Sequence, residues 1–95
     1  MLYGIEHIGL VAEDPENLAT WYQKNFGFRV VYKNSKTPPT LFLAPDSGSM
    51  IEIMPYKEGS PVPSDSEKER VHLAIKVDDF EVATADLKKK GVQFI

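Results

Sequence analysis

The chain has no cysteine among its 95 residues, so disulfides, thiolate nucleophiles and cysteine-based zinc sites are excluded. Any bound metal must be held by histidine and carboxylate side chains. No stretch approaches the roughly 20 apolar residues needed to cross a bilayer, and Met1–Leu10 lacks a basic segment followed by a long apolar run. The sequence therefore predicts no membrane partner and, by default, a cytoplasmic location. An excess of positive charge is also missing: 11 Lys and Arg stand against 14 Asp and Glu, a formal net charge of -3. The basic residues are dispersed except for Lys88-Lys89-Lys90, which fall where a helix should end and where cations complement its macrodipole. Nucleic acid is not an expected partner.

What is present is a chain with 42% hydrophobic and 11% aromatic residues, enough for one compact domain. Residues 5–12 have strand composition. Asp14-Pro15 supplies a helix N-cap and a first-turn proline, Leu18, Trp21, Tyr22 and Phe26 recur at helical spacing, and Gly27 is a natural residue to close the helix. Trp21 and Tyr22 are expected in the core. Residues 28–32, 40–44 and 49–54 read as strands, separated by Asn34-Ser35, Pro38-Pro39 and Pro45-Asp46-Ser47-Gly48. The pattern over 1–54 is β-α-β-β-β. Residues 55–70 are rich in Pro, Ser and charge and read as an exposed linker.

The pattern then restarts over 71–95. A strand is expected at 71–77, Asp78-Asp79 caps a second helix, Phe80, Ala83 and Leu87 keep helical spacing, and Gly91 closes it. In a gapless alignment His7 falls on His72, Asp14 on Asp79 and Glu16 on Glu81, each pair 65 positions apart. Gly27 and Gly91 miss that register by one residue. An internal repeat is the simplest reading, with the second copy stopping at its second strand, 92–95. An unfinished sheet leaves an unpaired edge. A homodimer, with exchanged elements as one form of it, is therefore expected.

Strand alternation selects the candidate site. In 5–12, Ile8, Leu10 and Ala12 face one way and His7, Gly9 and Val11 the other; in 71–77 His72 opposes the apolar face, and in 49–54 Glu52 shares a face with Met50 and Met54. Taken singly, each histidine is better read as a hydrogen-bonded structural residue and Glu52 as a solvated one. Together they place three potential ligands on the second face of three strands, among small and apolar neighbours, as a concave site requires. Two imidazoles and a carboxylate suit Zn, Ni, Co, Mn or Fe(II).

These segments, His7-Ile8-Gly9-Leu10, Asp14-Pro15, Trp21-Tyr22 with Asn25-Phe26-Gly27-Phe28, Ile51-Glu52-Ile53 and Val71-His72-Leu73-Ala74 with Asp78-Asp79, resemble the vicinal oxygen chelate superfamily, also called the glyoxalase/bleomycin-resistance/dioxygenase family. The resemblance implies an α+β fold of paired βαβββ modules around a metal cleft, the second module here incomplete. It implies His7, Glu52 and His72 as metal ligands from the first and fourth strands, with a fourth, usually a Glu, on a last strand beyond Ile95. Glu52 tilts the implied activity toward a lyase or isomerase of glyoxalase or epimerase type, acting through an enediolate on a small 2-oxo or thioester substrate; in such members the base usually lies on that last strand, which makes Glu52 a weak catalytic candidate. Bacterial glyoxalases carry an arginine where Val11 stands, which argues against a glutathione adduct as substrate, and Met50, Met54 and Tyr56 suggest a more apolar ligand. The family also contains metal-free antibiotic-binding proteins of bleomycin-resistance type and Fe(II) dioxygenases, which are the two alternative readings.

Overall fold

The structure, a computed structural model, describes residues 1–57 and 72–94. The chain divides into two compact units, Met1–Glu58 and Gly59–Ile95. Most of the linker expected over 55–70 lies outside the described residues.

The first unit realises the expected order: β1 (His7–Ala12), α1 (Pro15–Phe26), β2 (Arg29–Lys33), β3 (Leu41–Ala44) and β4 (Met50–Pro55). Helix α1 begins where the chain can satisfy its first free N–H groups. Asp14 is extended, its carboxylate accepts from the Asn17 N–H at 3.0 Å, and Pro15, which has no N–H to satisfy, follows. It ends where Gly27 turns left-handed (φ 71°) and returns its N–H to the Gln23 carbonyl at 3.1 Å.

The strands form one sheet in the order β1-β4-β3-β2. β1 runs parallel to β4, with Ile8 opposite Ile51, Gly9 opposite Glu52 and Leu10 opposite Ile53. β3 is antiparallel to β4 and to β2. The turn from β2 to β3 is held by Asn34, whose side-chain oxygen accepts from the Thr40 N–H at 2.9 Å and the Lys36 N–H at 3.3 Å.

One face of this sheet is the core. Leu41, Leu43, Ile51 and Ile53 are buried there with Ala19 and Pro15 of α1, and each such aliphatic side chain contributes about 1.5–3 kcal/mol through loss of water contact. The aromatic stripe of α1 is less enclosed than its spacing suggests. Trp21 keeps 40% of its surface exposed, and its indole meets Tyr22 and Phe26 edge-on.

The second unit departs from the expected repeat. Its helix α2 (Phe80–Lys89) is capped as predicted, with the Asp79 carboxylate accepting from the Val82 N–H at 3.0 Å. Its end is a Schellman turn: Gly91 (φ 87°) donates to the Lys88 carbonyl and Val92 to that of Leu87. α2 has 10 residues and α1 has 12, but Lys90 stands between α2 and Gly91 whereas Gly27 directly follows α1, so the two-residue difference leaves a one-residue slip between the glycines. The strands expected at 71–77 and 92–95 do not form over the described residues 72–77 and 92–94. A strand exists only as half of a hydrogen-bonded ladder, and no strand partner is present for them among the described residues.

Candidate functional site

β1 and β4 are far apart in sequence, and their parallel pairing makes them neighbours. Because β1 enters beside β4, the face opposite the core collects His7, Gly9 and Val11 from one strand and Met50, Glu52 and Met54 from the other. The chain just before β1 is tied to β4 as well. The Met50 N–H donates to the Glu6 carbonyl at 2.8 Å and the Ser49 hydroxyl to the Ile5 carbonyl at 2.6 Å.

The His7 imidazole is held on three sides. Its Nδ1 lies 3.1 Å from Glu6 Oε1, its Nε2 lies 3.5 Å from Glu52 Oε1, and its ring meets Phe42 edge-on, with centroids 5.2 Å apart at 73°. The two carboxylates play different parts. The distance to Glu6 is that of a hydrogen bond, so Glu6 favours the tautomer with the proton on Nδ1 and leaves the Nε2 lone pair free to act as a donor. The distance to Glu52 is longer than an N–H···O bond prefers. It suits two ligands of one ion: with metal–nitrogen and metal–oxygen bonds of about 2.0–2.2 Å, a tetrahedral arrangement separates its ligand atoms by about 3.3–3.6 Å. A carboxylate on the far nitrogen of a ligating histidine is also the usual way such a ring is oriented.

Gly9 keeps this corner open. It stands opposite Glu52, and a Cβ there would lie 2.9 Å from Met54 Cε and 3.9 Å from Glu52 Oε1. Any side chain at Gly9 would press on Met54 beside the Glu52 carboxylate.

Of the three predicted ligands, His7 and Glu52 are brought together. His72 is an exposed residue of the second unit. Among the described residues no group of three His, Cys, Asp or Glu side chains is placed to hold a metal ion. Glu6, Phe42 and Tyr32 were not singled out by sequence. An acidic residue directly before a strand histidine was the available signal for Glu6, and the position of Phe42 between core residues Leu41 and Leu43 was the signal for it.

A hollow of about 530 Å³ lies elsewhere, at the corner between β1 and α1, where Asp14, Leu18, Trp21 and Tyr22 line it. It shares no residue with the His7–Glu52 pair. Burial pushes the Tyr22 phenol above its usual pKa. No helix of the described residues is long and apolar enough to cross a membrane.

Comparison with known proteins places these features in context. The profile described as "Glyoxalase/Bleomycin resistance protein/Dioxygenase superfamily" matches residues 4–95. No curated protein matches the chain. Among solved structures, a glyoxalase family protein from Enterococcus faecalis is similar at 22% identity over 96% of this chain and 75% of that one, with a TM-score of 0.69. The fosfomycin resistance protein FosX from Listeria monocytogenes, complexed with Mn(II) and sulfate ion, is similar at 20% identity over 98% and 75%, with a TM-score of 0.66. TioX from Micromonospora sp. ML1 is similar at 17% identity over 93% and 72%, with a TM-score of 0.60. At these identities the likeness establishes the fold.

Proposed function

Because the chain belongs to the glyoxalase/bleomycin resistance protein/dioxygenase superfamily, we propose that it is a divalent-metal-dependent lyase or isomerase acting on a small 2-oxo or thioester substrate, with His7 and Glu52 as two of its metal ligands. The observation that carries this reading is the separation of 3.5 Å between His7 Nε2 and Glu52 Oε1 on the face that excludes the core. His72 is the third ligand of the proposal. FosX, of the same fold, was crystallised with Mn(II), which is consistent with a divalent ion in this one.

A bound divalent ion supplies Lewis-acid polarisation of a carbonyl oxygen. The protein's own residues do the rest. Glu6 holds the His7 ring in one tautomer through Nδ1, Phe42 fixes the ring's tilt, and the Met50 and Met54 side chains keep the surroundings apolar, which strengthens every electrostatic interaction there. Glu52 is an acceptor with a second oxygen to spare, so it can also serve as the site for a proton taken from a carbon next to a carbonyl. Proton transfer of this kind contributes on the order of 10² to 10⁴ in rate.

The decisive measurement is the metal content of protein purified without chelator, for the wild type, His7→Ala, Glu52→Gln and His72→Ala. Stoichiometric metal in the wild type that falls in each variant is expected. Equal and negligible metal in all four overturns the proposal. The second reading, a metal-free small-molecule binding protein of bleomycin-resistance type, draws on the aromatic side chains beside the pair, Phe42 with Tyr32. It requires ligand-induced thermal stabilisation that persists in EDTA.

A further inference from the structure

Tyr32 owes its position to one additional residue in β2. Val30 stands opposite Leu43 and Tyr32 opposite Phe42, so two steps along β2 answer one step along β3 and Val31 is the extra residue. In a regular ladder Val31 would oppose Phe42, and Tyr32 would oppose Leu41 on the face packed against α1. The bulge transfers Tyr32 to the other face.

Its neighbours confirm the register from both sides. Lys33, now opposite Leu41, pairs with Glu16 of α1 on the core side. The Tyr32 ring lies 6.1 Å from that of Phe42 at 68°, and Phe42 lies 5.2 Å from His7 at 73°. Phe42 is also directly opposite Glu52. Three rings therefore run in line from the β2 edge to the His7–Glu52 pair. The end of this row stays open to solvent beyond the Phe42 contact, since Tyr32 keeps 56% of its surface exposed. Without the bulge that place would fall to Val31, and no ring would extend the line beyond Phe42.

We propose that Tyr32 and Phe42 form a platform that determines specificity: they receive a planar, apolar group of the ligand while its oxygen atoms lie at His7 and Glu52. The substrate class is a small compound that joins oxygen ligands to an aromatic or similarly flat apolar group. The position of the oxygens rests on the metal-site reading above, whereas the preference for a ring rests on the Tyr32–Phe42 row alone. Stacking on such a pair is worth about a 2- to 12-fold gain in affinity.

The test compares two chelators with the same head group, benzohydroxamate and acetohydroxamate, titrated into Mn(II)-loaded protein by calorimetry. The wild type should prefer benzohydroxamate by about 2- to 12-fold. Tyr32→Leu should remove most of that preference while acetohydroxamate binds as before, Phe42→Leu should remove it as well, and deletion of Val31, which leaves Tyr32 opposite Phe42, should retain it. Equal binding of the two chelators by the wild type, or an undiminished preference in Tyr32→Leu and Phe42→Leu, overturns the platform. A metal-free arm separates it from the metal reading, with benzoate and acetate added to EDTA-treated protein and followed by NMR. If neither hydroxamate binds, the metal reading fails; benzoate-specific shifts at Tyr32 and Phe42 then uphold the platform, and their absence overturns it.

Discussion

Gly9→Ala should leave the fold nearly as stable as before and should do so only because Met54 moves. The backbone at Gly9 has no positive φ, so the requirement is one of space. The new methyl group would sit 2.9 Å from Met54 Cε, closer than carbon atoms tolerate. Cε is the end of a side chain with three rotatable bonds, so relief comes from a change of Met54 conformation that costs about 0.5–1.5 kcal/mol. Against this, alanine restricts the unfolded chain more than glycine does, which stabilises by about 0.4–1 kcal/mol. The two nearly cancel, and the net change should lie within about 1 kcal/mol of zero. In a Met54→Ala background the obstructing methyl is gone and Gly9→Ala should stabilise by about 0.4–1 kcal/mol. The difference between the two backgrounds, about 0.5–1.5 kcal/mol, is the coupling between the residues. Urea unfolding of the four proteins, read from midpoints at constant slope, measures it. The same effect of Gly9→Ala in both backgrounds would refute the contact. A loss above about 2 kcal/mol in the wild-type background would show that backbone rather than Met54 takes the strain. Metal affinity in the same four proteins extends the test to function, since a displaced Met54 lies beside Glu52 and affinity should fall in Gly9→Ala and recover in the double variant.

Three further outcomes are expected. Leu43→Ala, at a fully buried position on β3 between β2 and β4, should cost about 2–5 kcal/mol in urea unfolding; a loss below about 1 kcal/mol would mean the core lies elsewhere. Glu6→Ala should weaken metal binding about 10-fold, the low end of the usual range for a group behind a ligating histidine, because Glu6 is 77% exposed; Glu6→Gln, which keeps an acceptor at Nδ1, should retain more of the affinity, and calorimetry showing no change for either would remove Glu6 from the site. Tyr22 has a phenol whose folded pKa is raised by burial, so the folded state holds that proton more tightly than the unfolded one. Its contribution is intact below the unfolded value near 10 and is lost as pH rises through the higher folded value. Melting temperature should therefore fall over that alkaline window less steeply for Tyr22→Phe than for the wild type, and parallel curves would contradict the assignment.

The first unit was largely legible because its signals are local. Asp14, Pro15 and Gly27 place α1 at Pro15–Phe26 through hydrogen bonds reaching only a few residues, and alternation along 5–12 and 49–54 assigns His7 and Glu52 to the faces they occupy. The second helix was legible for the same reason, through Asp79 and Gly91. The strand expected at 71–77 was not realised over the described residues 72–77, since an alternating pattern states which face would be buried and says nothing of whether a partner is there to complete the ladder.

Composition and periodicity thus determined, without help, which elements the first unit has, which sides of them are apolar, and that a metal there would have to be held by histidine and carboxylate. Only the tertiary structure decided which strands are neighbours. The parallel pairing of β1 with β4 is what sets His7 Nε2 3.5 Å from Glu52 Oε1, and the single extra residue at Val31 is what puts Tyr32 in line with Phe42. Both depend on contacts between residues distant in sequence, whose register is fixed by how the whole sheet packs on α1 rather than by any short stretch of chain.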